Sequence, residues 1–152
     1  MKKRKQQQMG RIALAMAAMV MGFGLVWLMG PRRVSRLLGD LGEGYTAHVS
    51  WSVDLTSEEE TVYLDQVWAK ALLGKLDDYS LHLTVPGKGT GDSGHICRIW
   101  FVTPEAEREV LITSGGVARV EGKDYRIRPW KEENIRQLEQ WLKSNGESSM
   151  PG

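Results

Sequence analysis

The sequence holds a single cysteine, Cys97. One thiol closes no internal disulfide, so any folded part of the chain has to rest on its hydrophobic core. Cys97 sits in an apolar run and reads as a small buried hydrophobe. Acids are almost missing from the first 42 residues, where Asp40 faces eight lysines and arginines. The remainder is the reverse, with twelve basic and eighteen acidic side chains, so the formal net charge of +1 hides a basic arm and an acidic body. An acidic body repels a phosphate backbone, which argues against nucleic acid as its partner. Internal repeats are lacking, and biased composition is confined to the Lys- and Gln-rich start, Lys2–Gln8.

A compact signature for catalysis or cofactor binding is lacking too. Gly91-Asp92-Ser93-Gly94 has the look of a serine-protease nucleophile loop, with Thr46-Ala47-His48 as a faint partner. That triad needs two β-barrels to assemble it, about twice the length here. Gly89 to Gly94 fits G-x-G-x-x-G, but a strand pattern follows where dinucleotide binding needs a helix to open. His95 and Cys97 lie two apart on a strand pattern, and neither they nor His48 and His82 have the close spacing of a metal-ligand set. No catalytic residue, metal or cofactor is assigned.

What is present begins with Ile12 to Met29, eighteen residues without a charge. As a helix they span ~27 Å, enough for a hydrocarbon core. Lys2, Lys3, Arg4, Lys5 and Arg11 precede the run, and Arg32, Arg33 and Arg36 follow it. Five against three favours a cytoplasmic N-terminus, and Trp27 lies where an indole meets the headgroups. A cleaved signal is the rival reading. The end of the run, Leu28-Met29-Gly30-Pro31, lacks the small-x-small pattern of a cleavage site, which favours an uncleaved anchor. The organisation expected is a basic cytoplasmic arm (1–11), a transmembrane helix (12–29), a basic juxtamembrane linker (30–44), a soluble domain (45–146) and a disordered tail (147–152). In the linker, Val34, Leu37, Leu38 and Leu41 fall at helical spacing, which suits either a turn lying on the membrane surface or a plain linker. Trp27, Arg32, Arg33 and Arg36 form the expected membrane interface, with membrane lipid as partner.

Residues 45–54 alternate. Tyr45, Ala47, Val49, Trp51 and Val53 point one way, and Thr46, His48, Ser50, Ser52 and Asp54 the other, as in a strand with one wet face. Thr56-Ser57-Glu58-Glu59-Glu60 reads as a helix start. Leu64, Val67, Trp68, Ala71, Leu72 and Leu76 follow at helical spacing. Further strands are expected over Tyr79–Val85, His95–Thr103, Arg108–Thr113, Val117–Val120 and Lys123–Arg128, with glycine turns between them. A last helix opens at Pro129, buries Ile135, Leu138, Trp141 and Leu142, and stops at Gly146. Trp51, Trp68 and Trp141 are core by their periodicity. The order β-α-β-β-β-β-β-α predicts an α+β, two-layer domain. It has a mainly antiparallel five- or six-stranded sheet, two helices on one face, and one transmembrane helix before it.

With helices on one face, the other carries His48, Ser50, Ser52, His82, Thr84, Arg98 and Trp100. Of these, His48, Ser50, His82, Arg98 and Trp100 form the candidate face for an envelope protein, a peptide or a glycan, and an ordinary solvated sheet face is the alternative. The Lys-rich anchor, the small α+β body and the strand-Gly-Gly-strand-Gly-Lys-x-Tyr-x-Ile ending (Val110 to Ile127) resemble small uncharacterised membrane-anchored extracytoplasmic proteins of Gram-positive bacteria. The resemblance implies a cell-envelope location and carries no functional residue with it. The lack of a lipid-accepting cysteine departs from the lipoprotein version. The function expected is a single-pass protein presenting a non-enzymatic binding or regulatory domain outside the membrane. A small envelope hydrolase using His48 or His82, or a cytoplasm-facing interaction module, are the alternatives.

Overall fold

The computed structural model describes residues 2–52, 59–85 and 94–148. The chain divides into two units, Met1–Gly30 and Pro31–Gly152. The first is one helix, α1 (Lys2–Met29), which takes in the basic arm as well as the apolar run. Every described side chain on it from Lys3 to Met29 is exposed. It is long and apolar enough to cross a membrane.

The second unit is α+β. Its elements are α2 (Val34–Leu38), β1 (Thr46–Ser52), β2 (Glu60–Leu64), α3 (Gln66–Leu76), β3 (Ser80–Leu83), β4 (Ile96–Val102), β5 (Glu107–Thr113), β6 (Val117–Val120), β7 (Lys123–Arg128) and α4 (Glu133–Asn145). The strands form one antiparallel sheet of seven, in the order β2-β1-β4-β5-β6-β7-β3. The expected five or six strands become seven because β2 lies where the reading placed a helix. Glu60–Leu64 obeys both periods. Leu64 fits the helical stripe, yet Val62 and Leu64 also alternate with Thr61 and Tyr63, and the β-branched and aromatic residues favour the strand. The helix starts later, at Gln66, where the Asp65 carboxylate accepts from the Trp68 amide at 2.9 Å as an N-cap. The cap proposed at Thr56–Glu58 lies outside the described residues, and so does the glycine turn at 87–93.

The late start rotates the helix. Ala69, Leu72 and Leu76 are buried, while Val67 is 72% and Trp68 37% exposed. Of the three tryptophans expected in the core only Trp51 is fully buried; Trp141 is partly so, and Trp68 packs edge-on against it, centroids 5.8 Å apart. β3 also departs from expectation. It pairs with β7, not with β4, so α3 leads from β2 at one edge of the sheet to β3 at the other. α4 then leads back, and beyond it Glu147 bonds the β2 edge. The Tyr63 amide donates to the Glu147 carbonyl at 2.8 Å and the Glu147 amide to the Tyr63 carbonyl at 3.0 Å. Glu147 is therefore paired rather than part of a disordered tail. Residues 149–152 are outside the described set.

The opposite edge is tied by Arg32, whose amide and carbonyl bond Leu81 on β3 at 2.9 and 2.8 Å. Bonding both edge strands removes ladder groups that would otherwise template aggregation. It also corrects the linker. Val34 and Leu38 of α2 are 2% and 3% exposed and belong to the domain core, and the Ser35 amide bonds Asp77 at 2.9 Å. The compact unit starts at Pro31, not at residue 45, and the apolar stripe on α2 is spent on protein rather than on lipid.

Gly146 makes the turn from α4 to the β2 edge possible. A β-carbon there would collide with Val62 Cγ1 and lie 2.9 Å from the Leu142 carbonyl oxygen. Gly146→Val is expected to lower stability by about 1–3 kcal/mol, as overpacking does, and to speed amide exchange at Tyr63 before the rest of the sheet. Urea unfolding with hydrogen exchange checks this, and an unchanged Tyr63 amide would count against it.

Candidate functional site

The face away from the helices is organised by strand register into transverse rows. One row runs Tyr63, His48, Trp100, Glu109 across β2, β1, β4 and β5. The next runs Thr61, Ser50, Arg98, Leu111, Arg119, Asp124. Cross-strand neighbours on one face lie ~5 Å apart, close enough for rings to meet. In the first row they do. His48 and Trp100 stack with centroids 4.7 Å apart and planes 26° apart, and Tyr63 closes on His48 at 6.2 Å. All three are partly exposed. Arg98, one row along, is exposed.

Two of the proposed face residues do not contribute to this cluster. Ser50 is on the expected face but only 4% exposed, below the level of its neighbours. His82 is on β3, five strand spacings from β1, or roughly 24 Å; there it pairs with Arg126. The face is therefore not one constellation. His48, Trp100 and Arg98 come together, and His82 does not join them. Among the described residues neither His48 nor His82 is hydrogen-bonded to a carboxylate or hydroxyl. Of the residues expected at a membrane interface, Arg33 and Arg36 are exposed, Arg32 is half-buried, and Trp27 is 78% exposed on α1.

Beside the ring stack lies a groove of about 750 Å³ that turns round the sheet edge onto α3, lined among others by Thr46, His48, Tyr63, Val67 and Trp68. Tyr63, Val67 and Trp68 are missing from the sequence-based face. Tyr63 was hidden because its strand read as helix, although Thr61-Val62-Tyr63 carried the strand signal. Val67 and Trp68 read as core for the same reason.

Comparison with protein-family models, curated proteins and solved structures returns no match. The chemistry of this surface thus rests on its geometry. Stacked rings next to exposed apolar side chains bind flat or apolar groups by contact area, and Arg98 adds a fixed cation within reach of the same surface. The Arg119–Asp124 pair further along is self-satisfied. The guanidinium donates to Asp124 at 2.7 and 3.3 Å, and this bonding holds the arginine's pKa above its ordinary value.

On the helix side, His95 Nδ1 lies 2.8 Å from Glu139 Oε1 on α4. Cys97 is fully buried on the same side of β4. Among the described residues no three His, Cys, Asp or Glu side chains are placed to hold a metal ion. Burial, with the Glu139 carboxylate adding to it, pushes the Cys97 thiol up from 9.0 to about 12, so at neutral pH it is a thiol and not a nucleophile. The sign of the linkage follows. The unfolded chain loses this proton near pH 9 while the native chain keeps it, so the contribution is complete below pH 9 and is lost as pH rises toward 12. Tyr45, raised by burial and then by Asp77, acts in the same direction above pH 10. The stability difference between the unaltered chain and Cys97→Ala should shrink by roughly 2 kcal/mol between pH 8 and 10.5, at ~1.4 kcal/mol per unit. Urea titrations at the two pH values measure it; a constant difference would show that the thiol is not buried.

Proposed function

We propose that this chain is a single-pass membrane protein, N-terminus in the cytoplasm, whose domain stands outside the membrane as a binding or regulatory module. The observation that carries the reading is α1. Its apolar run is uncharged, exposed along its whole length, and set between five basic residues and three. A helix with that surface has no stable place in water. The partner surface is the His48–Trp100–Tyr63 stack with Arg98 beside it and Val67 and Trp68 across the groove. Its fitting partners are an envelope protein, an extended peptide or the ring face of a glycan, each of which offers flat area to stack.

The deciding experiment is a pair of C-terminal fusions of the full chain. A reporter active only outside the membrane should give signal, and one active only in the cytoplasm should be silent. The opposite pattern overturns the orientation. A photo-crosslinking residue at position 100 should then trap a partner that Trp68→Ala weakens, whereas one at position 82 should not. Equal capture at both positions would remove the assigned face.

A further inference from the structure

The inner face of the sheet is wider than its helices can cover. Over the β5-β6-β7-β3 half, the cover consists of the five-residue α2, the last turn of α3 and the first turns of α4. Between them lies a cavity of about 110 Å³. Its floor is Leu81, Ile112, Ala118 and Ile127. Ala118 pairs with Ile112 across the β5–β6 ladder, so the smallest side chain on the floor sits where a larger one would fill the space. The walls are fixed. Trp130 donates its indole N–H to the Ser114 carbonyl at 2.9 Å and meets Tyr79 edge-on at 5.6 Å. Asn134 donates to the Tyr79 oxygen at 3.1 Å.

The mouth holds one unused donor. The Tyr79 oxygen is used as an acceptor, and among the described residues its own proton has none. Gln137 and Lys75 line the same mouth, with Asp78 as its one carboxylate; the Lys75 ammonium itself stands over the Trp141 ring, 5.3 Å from its centroid. An apolar floor below a few polar groups is the composition of a small-ligand site. An enclosed apolar cavity of about 150 Å³ takes up benzene; this one is smaller but opens at its mouth, so a small ring or branched chain can enter with its polar end outside. We propose that this cavity binds a small apolar molecule carrying a carboxylate head, of the class of short branched or aromatic acids. The hydrocarbon end rests on Ile112, Ala118 and Ile127, and the head takes the Tyr79 proton.

The probe is 4-fluorobenzoate, added to the full chain in detergent micelles and followed by fluorine NMR. Saturable binding is expected, with Kd on the order of micromolar to millimolar for so few atoms. Intermolecular NOEs to the methyls of Ile112 and Ile127 should accompany it. Ala118→Leu should weaken binding by about tenfold or more without lowering the thermal midpoint, because it fills the space. Tyr79→Phe should weaken 4-fluorobenzoate severalfold and leave toluene unchanged. Absence of the NOEs in the unaltered chain overturns the site, and so does undiminished binding in a folded Ala118→Leu chain. Should that variant not fold, the NOEs and Tyr79→Phe still decide. Benzyl alcohol binding as tightly as 4-fluorobenzoate overturns the carboxylate. None of these outcomes depends on which side of a membrane the domain occupies.

Discussion

Phe101→Ala is expected to destabilise the domain by about 3–5 kcal/mol, the range for deleting a buried aromatic ring. Phe101 is 0% exposed near the end of β4. Its cross-strand partner on β1 is Ala47, too small to move into the space left behind. Tyr45 meets the ring edge-on at 5.9 Å and would lose that contact as well. A cavity that cannot collapse puts the cost toward the upper end of the range. Domains of this size have about 5–15 kcal/mol in total, so the variant gives up a large share of it. Thermal melts followed by circular dichroism should show a midpoint lower by roughly 10–25 °C. Arg98→Ala, exposed on the other face of the same strand, should stay within about 0.5 kcal/mol. A Phe101→Ala chain within 1 kcal/mol of the unaltered one would mean that β4 does not lie at the centre of this core.

The contrast between Phe101 and Arg98 was legible in the sequence because period-two alternation is a local property. It was read correctly for β1 and β4, the span of β7 was read as a strand, and the helical stripe of α4 was read to within a few residues. Partnering is not local, and there the reading failed. Nothing in Leu81 or His82 says that β3 lies beside β7, because α3 first takes the chain across the sheet. The grouping of His48 with His82 assumed that consecutive strands are neighbours, and that step fails at β3. Tertiary contact also decided Val34 and Leu38. Their spacing fits a surface turn on lipid as well as a packed turn on protein, and it is the Arg32–Leu81 bond pair that commits the segment to the domain. Leu64 shows the third kind of failure. A residue obeying two periods is assigned by its neighbours, and here the Asp65 cap outweighs the apolar stripe. The candidate site inherits all three. Its strands were visible, its company was not, and the groove residues Tyr63, Val67 and Trp68 emerge only when β2 and the true start of α3 are known.

Two arginines at the middle of α1, Val20→Arg with Met21→Arg, are expected to abolish stable membrane insertion. On the scale measured for helix insertion, Leu, Ile, Phe and Val each favour the bilayer centre by about 0.3–0.6 kcal/mol. The run contains Ile12, Leu14, Val20, Phe23, Leu25, Val26 and Leu28, so its margin is roughly 2–4 kcal/mol on that scale. Alanine, glycine and methionine fill most of the rest and add little. Each central arginine costs about 2.5–3.5 kcal/mol, and the pair exceeds the margin. The same substitution near the end of the run would cost less, because a long side chain there snorkels to the headgroups. The unaltered protein should stay in the membrane pellet through an alkaline wash, with an intact mass that includes residues 1–29. The double variant should leave the pellet or be degraded, while Gly30→Arg with Pro31→Arg should remain in it. A double variant retained like the unaltered chain would remove α1 as the anchor. A mature mass lacking the first 29 residues would turn α1 into a cleaved signal and leave a free domain, against the absence of a small-x-small site at Leu28-Met29-Gly30-Pro31.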